Sequence, residues 1–391
     1  MMQQGIAQIN QHCWGIWEDR GFLIRPDPLD KLSKIAGLDA LIPQEALAHI
    51  EQTAHALPTL LESGTIRTTL ERFPVYDMHK LVETPDFRIV ERLMQMYSYF
   101  ASAFVYATNQ EAEHHIPAGI AVPLVQLAEM VERPPILSYT SYVLANWQRT
   151  AEQIVVDDLE LVQKFLGNRD EHWFILIHTD IEAQAAGALT GLIHARDAAE
   201  NHDLSTLEDA FANISASIDG MLKTFYRMPE HCDSDVYYFR VRPYIFGFND
   251  VIYEGVDKFN GQPQSFRGQT GAQSSIVPAL VAGLGLEHEK TALMHHLDIM
   301  KDYMPKPHRE FIAEIGGSRT REVVKAHLDN GALVDGYNDC LLKLTEFRKQ
   351  HLHYATTYIA QKVDSPYGTG GTVFMEWLDQ LVTETEAQLI R

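Results

Sequence analysis

Arg348-Lys349-Gln350-His351 sets a histidine one turn after an arginine, inside a long amphipathic pattern. Leu344, Phe347, Arg348, His351, Ala355 and Tyr358 recur at three- and four-residue spacing, which puts the imidazole on the apolar side of a helix. A neutral imidazole on a buried helix face is a common way for a helical protein to offer one axial ligand to a haem iron. Arg348, one turn earlier, would suit a haem propionate. A lone histidine in such a place is more often a satisfied core or interface residue, so the neighbouring sequence has to carry the argument.

His178-x-x-x-Glu182 places two polar groups on one helix face, beside Asp180 and a run of small residues from Ala183 to Ala188. Half of a carboxylate-bridged metal site would look like this, but the matching Glu-x-x-His motifs on other helices are missing. The small residues could instead admit something flat, with His178 above it, or simply a second helix. Tyr237-Tyr238-Phe239-Arg240-Val241-Arg242 sets aromatics around two arginines, with Tyr238 and Arg242 four residues apart. Rings beside a guanidinium suit an aromatic amino acid, through ring packing and a paired carboxylate, although ordinary core packing would give the same letters. Gly368-Thr369-Gly370-Gly371-Thr372 lacks the lysine of a phosphate loop and reads as a connector or a lid. His295-His296 and Glu287-His288-Glu289 match no metal-binding spacing and read as solvated. No pattern for nucleophilic catalysis is present.

These residues need helices to hold them. With 391 residues, 46% of them hydrophobic, the chain has ample material for a core. A net charge of −21 speaks for a soluble protein and against nucleic acid or an anionic membrane as partner. The three cysteines, Cys13, Cys232 and Cys340, are far apart, which disfavours a disulfide framework, a cysteine-rich zinc site and covalent haem attachment. The N-terminus shows no signal-peptide pattern and no apolar run reaches membrane length, so a cytoplasmic protein is expected.

The periodicity predicts a mainly α protein. Helices are expected over about 86–107, from Pro134-Pro135 to about Trp147, over 172–199, over about 205–227 and from about Ile276 to Met300. Ile116 to Pro123 reads as a looser, proline-punctuated stretch, and the polar stretch from Phe259 to Ser275 reads as a loop. Gly316-Gly317-Ser318 and Asn330-Gly331 read as helix stops and starts, the second opening the His351 helix. The expected organisation is a small, mostly helical N-terminal domain over residues 1–130 and a large helical C-terminal domain over residues 131–391.

Taken together the pieces resemble the indoleamine 2,3-dioxygenase family. The resemblance rests on Pro134-Pro135-Ile136-Leu137, Val143-Leu144-Ala145-Asn146-Trp147, Ala272-Gln273-Ser274-Ser275, Tyr303-Met304-Pro305 with His308-Arg309, Arg348-x-x-His351, and Gly368 to Thr372, in that family's order. The extreme N-terminus is only loosely similar. The resemblance implies one non-covalent b-type haem per chain, with His351 as the proximal ligand and Arg348 near a propionate. It implies that Arg242 pairs with the substrate carboxylate and that Tyr237 and Tyr238 wall the indole. Tyr139, Tyr142, Val143 and Phe174 match other pocket positions, Thr270 and Gly271 a loop above the haem, and Thr369 a lid over substrate.

Some positions depart from that family. His178 falls where mammalian members carry serine, and could accept the indole N–H as a histidine does in the sister family, tryptophan 2,3-dioxygenase, or tune bound oxygen. Tyr237 carries a hydroxyl where phenylalanine is usual, and Tyr142 is bulkier than its common counterpart. The implied partners are a small indole substrate, O2 and an electron donor that keeps the haem ferrous, with a monomer or weak dimer expected. Two alternatives stay open: another haem-dependent tryptophan- or indole-modifying enzyme, and a non-catalytic haem protein that binds oxygen.

Overall fold

The computed structural model describes residues 15–84, 86–362, 369 and 375–391. Cys13 and most of the Gly368–Thr372 segment lie outside the described residues; Thr369 is within them. The fold is mainly helical, as expected. Its longer helices are α1 (Gln44–Glu62), α2 (Phe87–Val105), α3 (Ala118–Met130), α4 (Arg169–Gln184), α5 (Ala186–Glu200), α6 (Leu204–Tyr226), α7 (Ile276–Gly283), α8 (Ala292–Lys301), α9 (Lys306–Ile315), α10 (Gly331–Tyr358) and α11 (Met375–Glu386). The strands are short. β1 (His115–Ile116) pairs in parallel with β4 (Phe248–Tyr253), which pairs antiparallel with β5 (Gln264–Phe266). β2 (Gln148–Arg149) and β3 (Leu159–Glu160) form a separate antiparallel pair.

Caps explain where the helices that matter begin. The Asn330 side chain accepts from the Leu333 N–H and starts α10, the helix of His351. Asn168 accepts from the Glu171 N–H and starts α4, the helix of His178. Glu171 then turns its buried carboxylate back onto the N–H groups of Phe165, Leu166 and Gly167, at 2.6, 2.9 and 2.7 Å. These are the free donors and the loop ahead of a helix start, satisfied by side chains rather than by water.

Four expected segments need correction at the level of the fold. The stretch around Pro123 belongs to helix α3, because Ile120, Leu124 and Leu127 are fully buried and outweigh the N–H that the proline lacks. The long helix expected over 172–199 is two, α4 and α5, parted at Ala185. The helix expected from Ile276 to Met300 breaks after Gly283, and Gly285 takes a positive φ of 66° that a helix cannot continue. The polar stretch after Phe259 contains β5 as well as loop.

The run of small residues serves helix packing. A Cβ on Gly191 would meet Ile214 Cγ1 at 2.7 Å and one on Gly187 would meet Ser217 Cβ at 3.3 Å, so α5 lies close against α6. Helix α6 also packs against α10 and α4, and α10 against α11. The helices that carry His351 and His178 are thus both fixed to α6. Among the described residues no helix is long and apolar enough to cross a membrane.

Candidate functional site

His351 breaks the pattern of its own helix face. Leu344, Arg348, Ala355 and Tyr358 are buried, but the His351 imidazole is exposed although protein surrounds it deeply. The ring is thus accessible yet set among surrounding protein, as at the wall of a cleft. Burial, and then the neighbouring His178, push the His351 pKa down to about 4, so the ring is neutral at ordinary pH and its lone pair is available. The influence of His178 places the two imidazoles within electrostatic reach of one another.

His178 stands on α4. Its Nδ1–H donates to the Phe174 carbonyl at 2.7 Å, which leaves Nε2 as an acceptor. Burial lowers its pKa, against the pull of that carbonyl, and keeps it neutral. An aromatic row runs from it: Phe174 lies 4.7 Å from His178 and 4.3 Å from Tyr237, centroid to centroid, and Tyr237 continues to Tyr358 at 5.9 Å. Tyr139 meets His178 edge-on at 6.3 Å.

Two π-helical turns flank this row. Thr140–Leu144 is one, carrying Tyr142 and Val143 directly after Tyr139; Tyr237–Val241 is the other. The regular helix expected through Tyr139 and Val143 is therefore absent, and the widened turn needs outside partners for its carbonyls. Gln95 Nε2 donates to the Ser141 carbonyl at 2.8 Å, and Asn146 Nδ2 to those of Tyr142 and Gln163. Such turns recur at functional sites because the extra residue re-aims side chains. The second turn starts from Asp233, whose carboxylate accepts from the N–H groups of Asp235 and Val236. It passes directly into a tight turn with Pro243 in second place.

That junction sets Arg242. It is 1% exposed, with its guanidinium over the rings of Tyr238 at 5.1 Å and Phe246 at 4.7 Å. The pairing of Tyr238 and Arg242 expected from spacing is thus present, through a π turn rather than a regular one. Burial lowers the Arg242 pKa, and Tyr237 and Tyr238 oppose that.

The loop of Thr270 and Gly271 is stitched to these walls by residues that spacing alone did not assign. Gln273 accepts from the Tyr139 N–H at 2.9 Å and donates to the Gly268 carbonyl at 2.9 Å. Ser274 donates to Glu182 Oε1 at 2.7 Å. Thr270 caps the short turn Gly271–Gln273, and a Cβ on the exposed Gly271 would meet none of the described residues within 4 Å. Thr369 donates to the Gln269 carbonyl at 2.6 Å, which brings it to the same loop. Glu182 is fully buried, and burial raises its pKa to about 7 against the hydrogen bonds of Ser274 and Tyr139. Its sequence signal was its place four residues after His178; Glu182 reaches the loop through Ser274, while His178 bonds its own helix at Phe174. Among the described residues no group of three or more His, Cys, Asp or Glu could hold a metal ion.

Arg348 is turned toward α11. Its guanidinium donates to the Leu381 carbonyl at 2.8 Å, to the Thr385 hydroxyl and to His288 Nε2 at 3.2 Å. His288 is therefore not solvated as its sequence context suggested: its side chain is 3% exposed. His296 also packs, against Trp377 at 5.6 Å, whereas His295 is exposed. His308 is a core residue, its ring tilted against that of Phe22 at 4.1 Å.

These residues fit a haem. A neutral, accessible imidazole is set among surrounding protein, as an axial ligand must be. A buried arginine lies one turn away, and its Nε has no partner among the described residues. A second neutral imidazole belongs to another wall, and an exposed glycine lies in the loop tied to that wall.

Comparison with known proteins shows the family. The family model described as Indoleamine 2,3-dioxygenase matches residues 10–366. The chain is 30% identical to indoleamine 2,3-dioxygenase 1 of Mus musculus, over 95% of this chain and 94% of that protein. It is 28% identical to the indoleamine 2,3-dioxygenase of Saccharomyces cerevisiae, over 79% and 73%. It is 26% identical to a 6-hydroxytryptophan 2,3-dioxygenase of Fusarium equiseti, over 81% and 80%. The chain belongs to the indoleamine 2,3-dioxygenase family and is an oxidoreductase of that kind.

Proposed function

We propose that the protein inserts both atoms of O2 across the indole C2–C3 bond of L-tryptophan or a close indoleamine, giving an N-formylkynurenine-type product. One non-covalent b-type haem per chain, ligated by His351, would supply the oxygen chemistry when bound. The observation that carries the reading is the pair of neutral imidazoles, His351 accessible among surrounding protein and His178 with Nε2 free to accept.

The remaining residues bind and orient. Tyr237, Tyr238 and Phe174 wall the indole, together with Tyr139, Tyr142 and Val143. Arg242 fixes the carboxylate, its charge undiluted by solvent. His178 accepts the indole N–H at Nε2, which sets the ring's rotation. Thr369, joined to the Gln269 carbonyl, lies on the loop of Thr270 and Gly271 and meets the ammonium end. Correct placement in a water-poor site is the main contribution of the protein to rate. An electron donor would keep the iron ferrous, and the chain acts as a monomer or weak dimer.

The test is mass spectrometry of the product formed by haem-loaded, reduced protein from L-tryptophan under 18O2. A product carrying two labelled atoms is expected. A rearranged, unoxygenated product would replace the reading with another tryptophan chemistry. No product, with a stable oxygen complex, would replace it with oxygen binding.

A further inference from the structure

The Arg348 contacts extend into a buried chain of polar groups. Arginine only donates, so His288 Nε2 must accept from it, and the proton of this imidazole sits on Nδ1. Nδ1–H then donates to Glu384 Oε2 at 2.5 Å. Glu384 stands on α11 and is itself steadied by Gln380, at 2.6 Å. Around this chain the segments are tied reciprocally: the Glu287 N–H donates to Gln388 Oε1 at 2.9 Å, and Gln388 Nε2 donates to the Glu287 carbonyl at 2.8 Å. Leu381 and Thr385 hold the other arm of the guanidinium. Arg348 is thus gripped on both terminal nitrogens, 6% exposed, one turn before His351, with its buried Nε lacking a hydrogen-bond partner among the described residues.

Three protein partners leave an arginine fork no freedom to rotate. A long side chain fixed in this way has already lost the rotamer entropy that recognition would otherwise cost. We propose that His288, oriented by Glu384, is a positioning residue for the cofactor: it locks Arg348 so that its charge and remaining donors meet a cofactor carboxylate at the edge of the His351 cleft. The inference rests on the haem reading above and goes beyond it, because neither His288 nor Glu384 touches the cleft in that reading.

The test compares haem with haem dimethyl ester, whose propionates carry no charge. Binding of each is titrated by Soret absorbance in the full chain, in His288→Ala, His288→Gln and Glu384→Ala. The wild-type chain is expected to prefer haem over the ester by roughly 10- to 150-fold, the range of a charge-assisted hydrogen bond. His288→Ala should lose most of that preference by weakening haem alone. His288→Gln should restore much of it, since its amide can accept from Arg348 and donate to Glu384. Glu384→Ala, at the half-buried end of the chain, should repeat the selective loss even where His288→Ala folds poorly. Equal weakening of haem and ester would make His288 merely structural and overturn the proposal, as would a preference unchanged in either alanine variant. Equal binding of both by the wild-type chain would also overturn it while leaving the haem reading intact. Failure to bind either would overturn both.

Discussion

The two sides of the proposed site are built in opposite ways. His351 stands on α10, one uninterrupted helix of 28 residues from Gly331 to Tyr358. The facing wall takes its side chains from two π-helical turns, one end of α4 and a loop held by Gln273, Ser274 and Thr369. A metal ligand needs one atom on one rigid element, and a regular helix supplies that. A pocket for a flat, asymmetric molecule needs several side chains aimed at one volume from different directions. Irregular backbone does this, at the cost of carbonyls that Gln95 and Asn146 must satisfy.

The comparison breaks most severely at His351. His351→Ala should abolish specific haem binding, read as loss of a stoichiometric Soret band on reconstitution. On the facing wall, Arg242→Ala should raise KM for L-tryptophan by roughly 10- to 150-fold, as expected for losing a charged hydrogen bond. The same change should leave tryptamine, which has no carboxylate, nearly unaffected. Equal effects on both substrates would take Arg242 out of the carboxylate role.

Glu182 sharpens the contrast through pH. Its carboxyl ionises near 4.5 in an unfolded chain and at about 7 in the folded one. The stability contributed by the neutral form is therefore present below 4.5 and lost as pH rises to 7. Glu182→Gln should gain on the wild-type chain across that window, by up to about 3 kcal/mol in denaturant unfolding. A difference that does not change with pH would remove the buried, neutral carboxyl from the account. The smallest effect is expected at His178. His178→Ala should cost roughly 2- to 10-fold in kcat/KM for L-tryptophan, the worth of one neutral hydrogen bond. For 1-methyltryptophan, which has no indole N–H, the same change should cost much less.

The same contrast decided what could be read from the sequence. The period of 3.6 runs unbroken through Leu344, Arg348, His351 and Ala355, so the helix and its chemical face were legible, with Asn330 marking the start. The π turns were not, because one extra residue per turn shifts every later position and leaves no compositional mark. Arg242 and Tyr238 were still recognised as a pair, since ring and guanidinium lie side by side in either geometry. The roles of Gln273 and Ser274 depend on partners 134 and 92 residues away, which no local pattern records. His288 was misread for the same reason: Arg348 and Glu384, which bury it, lie 60 and 96 residues downstream. At Pro123 local propensity gave way to tertiary burial, and a broken stretch became a helix.

The most direct measurement of the central claim is a Soret titration of reconstituted protein with L-tryptophan, in the wild-type chain, His351→Ala and Arg242→Ala. One wall holding the cofactor and the other the substrate predicts three results. The wild-type band shifts saturably with L-tryptophan, Arg242→Ala keeps the band but needs far more L-tryptophan, and His351→Ala has no specific band. A stoichiometric band surviving in His351→Ala, or a wild-type band indifferent to L-tryptophan, would contradict the account.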